Sequence, residues 1–342
     1  MNSKERCLGT LAGNSVDRVP VFPLLMFLAA DRARMSYREY ATNGTSLAEA
    51  QLLMTEMFDV DAVTSCSDAY RISADLDGKM VYPENGTPFL EEPLVNSETN
   101  LDRIVMPDVS SRKSRMRDRT EATATMVDAV GEVRLVLGWV DMPFAEACSI
   151  CGVSSFMMML YDRPALAHRI LEKLTPIVTE FALMQLRTDA PMIGAGDASA
   201  SLISPEMYRS FALPYEQEVI RRIHDQGGLV KLHVCGNVTD SLPAMTESGA
   251  DLINVDHLVD FDYAAEVLGK AGICFKGNLH PVEDLLDASP AECRAKALAL
   301  IRRAGDRKYM LSGGCEIPAG VADEVFRAFC TAPRGNITQN DI

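Results

Sequence analysis

Along most of the chain, short apolar runs rich in β-branched residues alternate with longer segments whose apolar positions recur every three or four residues. The short runs read as strands and the longer ones as amphipathic helices. Strict alternation of the two predicts parallel strands joined by helical crossovers. Eight runs fit the strand pattern: Val19–Leu25, Asp61–Cys66, Val133–Trp139, Pro191–Asp197, Leu229–His233, Asp251–Val255, Gly272–Gly277 and Lys308–Gly313. Eight such units predict an α/β fold of the (β/α)8 TIM-barrel type, whose sites lie on the loops leaving the C-terminal strand ends.

Local signals sharpen this picture. Ser204–Pro205–Glu206 opens a helix with an N-cap hydroxyl and a first-turn proline, and Ser289–Pro290–Ala291–Glu292 adds a capping box. Gly227 and Gly249 read as helix stops. From Leu76 to Val95 the pattern breaks: Asp77–Gly78, Asn85–Gly86 and several prolines surround the short run Met80–Val81–Tyr82. This predicts a β-hairpin inserted after the second strand, at about residues 76–95. No repeat or low-complexity linker appears elsewhere, so residues 1–342 are expected to form one barrel domain with an N-terminal elaboration.

Composition narrows the function classes. With 342 residues and 47% hydrophobic content, the chain can bury a large core. Its start, Met1–Asn2–Ser3–Lys4–Glu5–Arg6, lacks the apolar centre of a signal peptide, and no run approaches the roughly 18 apolar residues that span a bilayer. A cytoplasmic protein without membrane association is expected. The net charge of −15 disfavours nucleic acid as a partner. Nine scattered cysteines read as small buried side chains plus a few ligands rather than as a disulfide framework. Cys148–Ser149–Ile150–Cys151 lies in an apolar helical stretch before Met157–Met158–Met159–Leu160, with no second pair of ligands nearby, and is expected in the core.

Against this background one set of residues stands out. His233 and Cys235 close the run Gly228–Leu232, and Cys315 closes Tyr309–Gly314. Side chains two apart in a strand share a face, so His233 and Cys235 can grip one ion, and the barrel can bring Cys315 to them. One imidazole and two thiolates would hold zinc with no net first-shell charge and a fourth position open to water or substrate. The competing interpretation is two core thiols and a hydrogen-bonded histidine. Other strand ends carry polar groups. Asp197 is a candidate to orient a zinc ligand or take a proton from an arriving thiol. Glu316 is a candidate for the open metal position. Asp256, Asn237 and Asn278 are candidates to contact a cofactor or acceptor, and His257 and His280 to shape its pocket. A GxGxxG following a strand, a P-loop and a nucleophile elbow are all missing, so nucleotide redox chemistry, phosphoryl transfer and serine hydrolysis have no support.

His233–Val234–Cys235–Gly236–Asn237 and Ser312–Gly313–Gly314–Cys315–Glu316–Ile317–Pro318 resemble motifs of the uroporphyrinogen decarboxylase superfamily, specifically its methylcobamide:coenzyme M methyltransferase branch. The resemblance extends through Val19–Pro23, Phe58–Val63, Gly196–Ser199, Ile203–Glu206 and Gly277–Asn278. It implies a (β/α)8 barrel in which His233, Cys235 and Cys315 bind Zn2+ that activates an acceptor thiol. Decarboxylases of the superfamily hold their acidic tetrapyrrole with arginines in a segment like M-R-Q-A-G-R. The comparable stretch here, Leu24–Asp31, is apolar and ends in an acid, with Arg32, Arg34 and Arg38 beyond it. Leaving substrate carboxylates unpaired in a desolvated cleft is costly, so that activity is disfavoured.

The expected activity is methyl transfer from a methylcorrinoid, supplied by a partner corrinoid protein, to a small-molecule thiol such as coenzyme M. The chain lacks the D-x-H-x-x-G pattern by which corrinoid proteins hold cobalt. The alternatives are a decarboxylase, a methyltransferase working between a methylated donor and a corrinoid or folate, and a non-catalytic corrinoid-binding module. The sequence leaves homo-oligomerisation open.

Overall fold

The computed structural model describes residues 1–335. In chain order the strands are β1 (Ala62–Thr64), β2 (Met80–Val81), β3 (Phe89–Leu90), β4 (Leu135–Asp141), β5 (Met192–Gly196), β6 (Leu229–His233), β7 (Leu252–Asn254), β8 (Cys274–Leu279) and β9 (Tyr309–Gly313). β1, β4, β5, β6, β7, β8 and β9 pair in that order, all parallel, with helices between them. This is the α/β architecture of a TIM-like barrel. β2 and β3 form the antiparallel hairpin expected after the second strand, with Met80 opposite Leu90 and Val81 opposite Phe89.

The eighth barrel position differs from expectation. Residues 19–25 form isolated bridges, Val21 to Leu311 and Leu24 to Glu316, in place of a regular strand. Leu311 N–H donates to Pro20 O at 2.8 Å and Phe22 N–H to Leu311 O at 2.9 Å, while Asp61 N–H donates to Val21 O at 2.9 Å. Pro20 and Pro23 carry no N–H, so a ladder cannot run through them. The predicted first strand is thus an irregular segment closing the barrel between β9 and β1.

Period-two alternation divides the strands into two rows. The inward row, with Phe22, Ala62, Leu135, Leu137, Met192, Leu252, Cys274 and Met310, forms a cluster that also takes in Cys7 of the first helix, Ser3–Ala12. Leu24, Cys66 and Trp139 form a second inward cluster. The outward row, including Val136, Ile193, Val230, Ile253 and Leu311, packs under the helices. Trp139 lies across the face of β5, where a Cβ on Gly194 would fall 2.4 Å from its ring. Beside it, Lys231 Nζ sits 4.3 Å from the Trp139 ring centroid, and Lys276 Nζ donates to Phe22 O at 2.6 Å. Burial pushes Lys231 down to about 8.

The predicted helix signals have physical counterparts. Ser204 Oγ accepts from Met207 N–H at 3.3 Å, and Ser289 and Glu292 exchange capping-box bonds of 3.3 and 2.9 Å. Gly227 and Gly249 adopt φ of +77° and +90°. Cys148 and Cys151 are buried core side chains of the helix Pro143–Cys151. Among the described residues no single helix is long and apolar enough to cross a membrane.

Candidate metal centre

β6 delivers His233 in the inward row, one layer above Lys231, and Cys235 follows just past the strand end. The chain turns sharply after Cys235 because Gly236 takes φ +94°, a conformation side chains disfavour. Asp256 fixes this turn: Oδ2 accepts from Gly236 N–H and Oδ1 from Leu258 N–H, both at 2.9 Å. On the other side, Gly314 lets the exit of β9 press against the loop after β7. A Cβ there would fall 2.2 Å from His257 N, and Asn254 Nδ2 donates to Gly314 O at 3.3 Å.

Together these close approaches bring Cys315 to the end of β6. His233 Nε2 lies 2.9 Å from Cys235 Sγ and 3.7 Å from Cys315 Sγ, and the two sulfurs are 3.3 Å apart. Among the described residues no other group of three His, Cys, Asp or Glu is poised in this way to hold a metal ion. The hydrogen bond between the two sulfurs, helped by His233 and opposed by burial, draws the Cys315 thiol down to about 3. The same hydrogen bond, together with burial, pushes Cys235 up. His233 Nδ1 faces Asn254 O at 3.5 Å, leaving Nε2 for the thiols.

The other residues singled out in the sequence occupy varied settings. Glu316 is half-buried, and its carboxylate accepts from Phe27 N–H. Burial, and next the neighbouring Cys315, lift its pKa to about 8. Asp197 N–H continues the ladder to His233 O at 2.8 Å, while its side chain follows the outward row to Glu216 on the helix Leu213–His224. Burial and this second carboxyl push Asp197 well up, and Tyr208 OH donates to Glu216. Asn278 Nδ2 donates to Val259 O at 2.7 Å and Asp256 O at 3.2 Å, bracing the loop after β7. Asn237 is exposed and accepts from Thr239 N–H at 3.1 Å. The His257 and His280 rings meet edge to face, centroids 4.2 Å apart, and His280 Nδ1 accepts from the Val282 and Glu283 amides at 3.1 Å. Arg32 is engaged by Asp31, Asp323 and Val321 O, and Arg38 by Tyr82 O; Arg34 is exposed.

Two features escaped the sequence reading. Asp68, at the exit of β1, is buried among Arg115 at 3.1 Å and Arg71 and Arg119 at 3.7 Å. Burial opposes its charge, yet these guanidiniums hold the carboxyl well below the usual range. Asp141 ends β4 in the inward row, and burial lifts its pKa to about 7 against the pull of Arg119. A charged residue at an inward position of an apolar strand was the available signal, as it was for Lys231 and Lys276.

Comparison with known proteins places this geometry in a family. The model of the family described as Uroporphyrinogen decarboxylase (URO-D) matches residues 2–335. A uroporphyrinogen decarboxylase of Microcystis aeruginosa is 27% identical over 303 residues, covering 86% of this chain and 84% of its own length. One from Nostoc punctiforme is 29% identical over 321 residues, covering 88% of each chain. In fold, the chain is similar to a methyltransferase from Methanosarcina mazei, with a TM-score of 0.87 and 22% identity over 97% of this chain and 98% of that one. A B12-independent methionine synthase from Shewanella is more distant, with a TM-score of 0.55 and 11% identity over 92% of this chain and 94% of that one. The chain belongs to the uroporphyrinogen decarboxylase family.

Proposed function

We propose that this chain is a zinc methyltransferase that passes a methyl group from a methylcorrinoid, carried by a separate protein, to a small thiol such as coenzyme M. The observation that carries this reading is the convergence of His233, Cys235 and Cys315 at the barrel mouth. A tetrahedral zinc, with Zn–S of about 2.3 Å and Zn–N of about 2.0 Å, needs its sulfurs about 3.8 Å apart and sulfur to nitrogen about 3.6 Å. The present separations of 3.3, 2.9 and 3.7 Å reach those values by shifts of less than about 1 Å. When bound, zinc supplies a Lewis acid that makes an arriving thiol acidic at neutral pH.

The chain's own residues set up that chemistry. His233, Cys235 and Cys315 would supply three ligands to zinc and leave a fourth position for the acceptor. Asn254 O orients the His233 ring, and Asp256 holds the turn carrying Cys235. Trp139 and Lys231 pack the barrel beneath, excluding water from that side. The segments that directly follow β5, β7 and β8 at their C-terminal ends expose Leu202, Leu258 and Val282. Exposed apolar side chains there suit contact with a partner corrinoid protein. The methyltransferase fold of the Methanosarcina protein supports the reading.

The names of the cyanobacterial relatives favour a second reading, decarboxylation of uroporphyrinogen. It requires cations for the substrate carboxylates, and the stretch Leu24–Asp31 offers none. Metal analysis of the purified protein beside Cys315→Ala, followed by assays with methylcobalamin plus thiol and with uroporphyrinogen, separates the two. We expect about one zinc per chain, its loss in the variant, and S-methylation of the thiol by the zinc form alone. Metal-free protein after zinc reconstitution, still active on uroporphyrinogen, would overturn the first reading in favour of the second.

A further inference from the structure

We propose that Asp141 is the catalytic group that takes the proton of the acceptor thiol. The inference rests on the methyltransferase reading and assigns a role that the chemistry of that reading requires. β4 carries Asp141 in the inward row with Leu135, Leu137 and Trp139. Asp141 pairs with Gly196, and Gly196 pairs with His233. Asp141 and His233 therefore share one layer of the barrel two strands apart, about 10 Å between backbones. The residue between them has no side chain, and the carboxyl shares the space this leaves with the edge of the Trp139 ring, which hydrogen-bonds it. A Cβ on Gly196 would fall 2.8 Å from Asp141 Oδ1 and 3.1 Å from Trp139 Cζ2. The carboxyl thus leans over β5, on the side of Asp141 that faces β6 and His233. The three ligands come from β6 and the exit of β9, so β4 and β5 flank the centre on a side that supplies no ligand.

The surroundings suit a proton acceptor. Facing Asp141 are Arg119 from the helix Arg115–Val130, Glu146 from the helix Pro143–Cys151, Asp68, Cys66 and Tyr70 from the exit of β1, and Asp197 from the exit of β5. Burial holds Asp141 at about 7, where a carboxyl ionises under working conditions and takes a proton back readily. Burial and then Asp141 itself push Glu146 well up as well. Asp197, the acid at the neighbouring strand end, faces outward to Glu216. In the proposed step the S–H bond of the acceptor breaks and its electron pair stays on sulfur, which takes the open position beside His233, Cys235 and Cys315. The proton bonds to the Asp141 carboxylate and passes to solvent when the thioether leaves.

The test is calorimetry of 2-mercaptoethanol binding to the zinc-loaded protein at pH 7.5, in buffers of different ionisation enthalpy, which counts protons released per thiol bound. A free thiol with pKa of about 8.5 arrives protonated. A thiolate formed beside Asp141 raises the carboxyl's pKa further, above the assay pH, so wild type should retain most of that proton, releasing less than about half per thiol, whereas Asp141→Asn, at equal zinc content, should release about one. Methyl transfer by that variant should fall about 100-fold and lose its acid limb near pH 7. Gly196→Ala, which drives a methyl into the carboxyl's place, serves as the second variant if Asp141→Asn does not fold, and should move proton release the same way. Unchanged proton release with thiol binding intact overturns the role of Asp141 alone. No thiol binding by zinc-loaded wild type overturns the methyltransferase reading and this inference with it.

Discussion

Two thiols within hydrogen-bonding distance of one another cannot both keep their ordinary acidity, and here Cys315 is drawn down while Cys235 is pushed up. Asp256 acts on this set only through the backbone. Asp256→Ala should leave the ligands in place yet weaken zinc about 10- to 100-fold in chelator competition, because the Gly236 and Leu258 amides lose their acceptor. Asp141 also predicts a stability profile. Its folded pKa of about 7 exceeds the unfolded 3.8, so the folded state holds the proton more tightly. The stabilisation is complete below pH 4 and declines as pH rises to about 7, by as much as about 4 kcal/mol. Urea titrations from pH 4 to 8 should show this decline in the wild type and a flatter profile in Asp141→Asn. The metal ligands were legible in sequence because two of them share a strand face. The arginines around Asp68 were not, since the partners come from separate elements and each looks like a solvated charge on its own.

At the scale of elements, hydrophobic alternation located all seven regular strands and the hairpin, but overestimated residues 19–25. There the β-branched pattern was present and the prolines decided the outcome by withholding N–H donors. The approach of the β9 exit to the loop after β7 was also hidden, because it depends on a residue with no side chain. Gly314→Ala tests that approach. Its Cβ would meet the backbone at His257, which cannot yield as a side chain would, so Cys315 should be carried away from Cys235. The expected result is loss of bound zinc with both cysteines still present, alongside a stability loss of about 2 kcal/mol, read by metal analysis and thermal melting.

At the scale of the molecule, exposed Leu202, Leu258 and Val282 give the segments leaving β5, β7 and β8 an apolar character that a net charge of −15 does not convey. Leu258→Lys should raise the KM for a corrinoid-protein methyl donor about 10-fold while leaving turnover with free methylcobalamin unchanged. The closure of the barrel has a different consequence. Its other neighbouring strands share regular ladders, but the segment 19–25 joins β9 and β1 through a few isolated hydrogen bonds. His233 and Cys235 sit on the continuous arc of the sheet. Cys315 hangs beside the seam, two residues before Ile317, whose N–H donates to Leu24 O at 3.0 Å. An ion held by all three residues would latch the arc to the seam. Amides of Phe22, Leu311 and Ile317 should then exchange hydrogen at least about 10-fold more slowly in the metal-loaded protein, and the rate of metal loss should follow their opening with temperature. Metal retention in this barrel would then be governed by the mechanics of one joint as much as by the strength of three bonds.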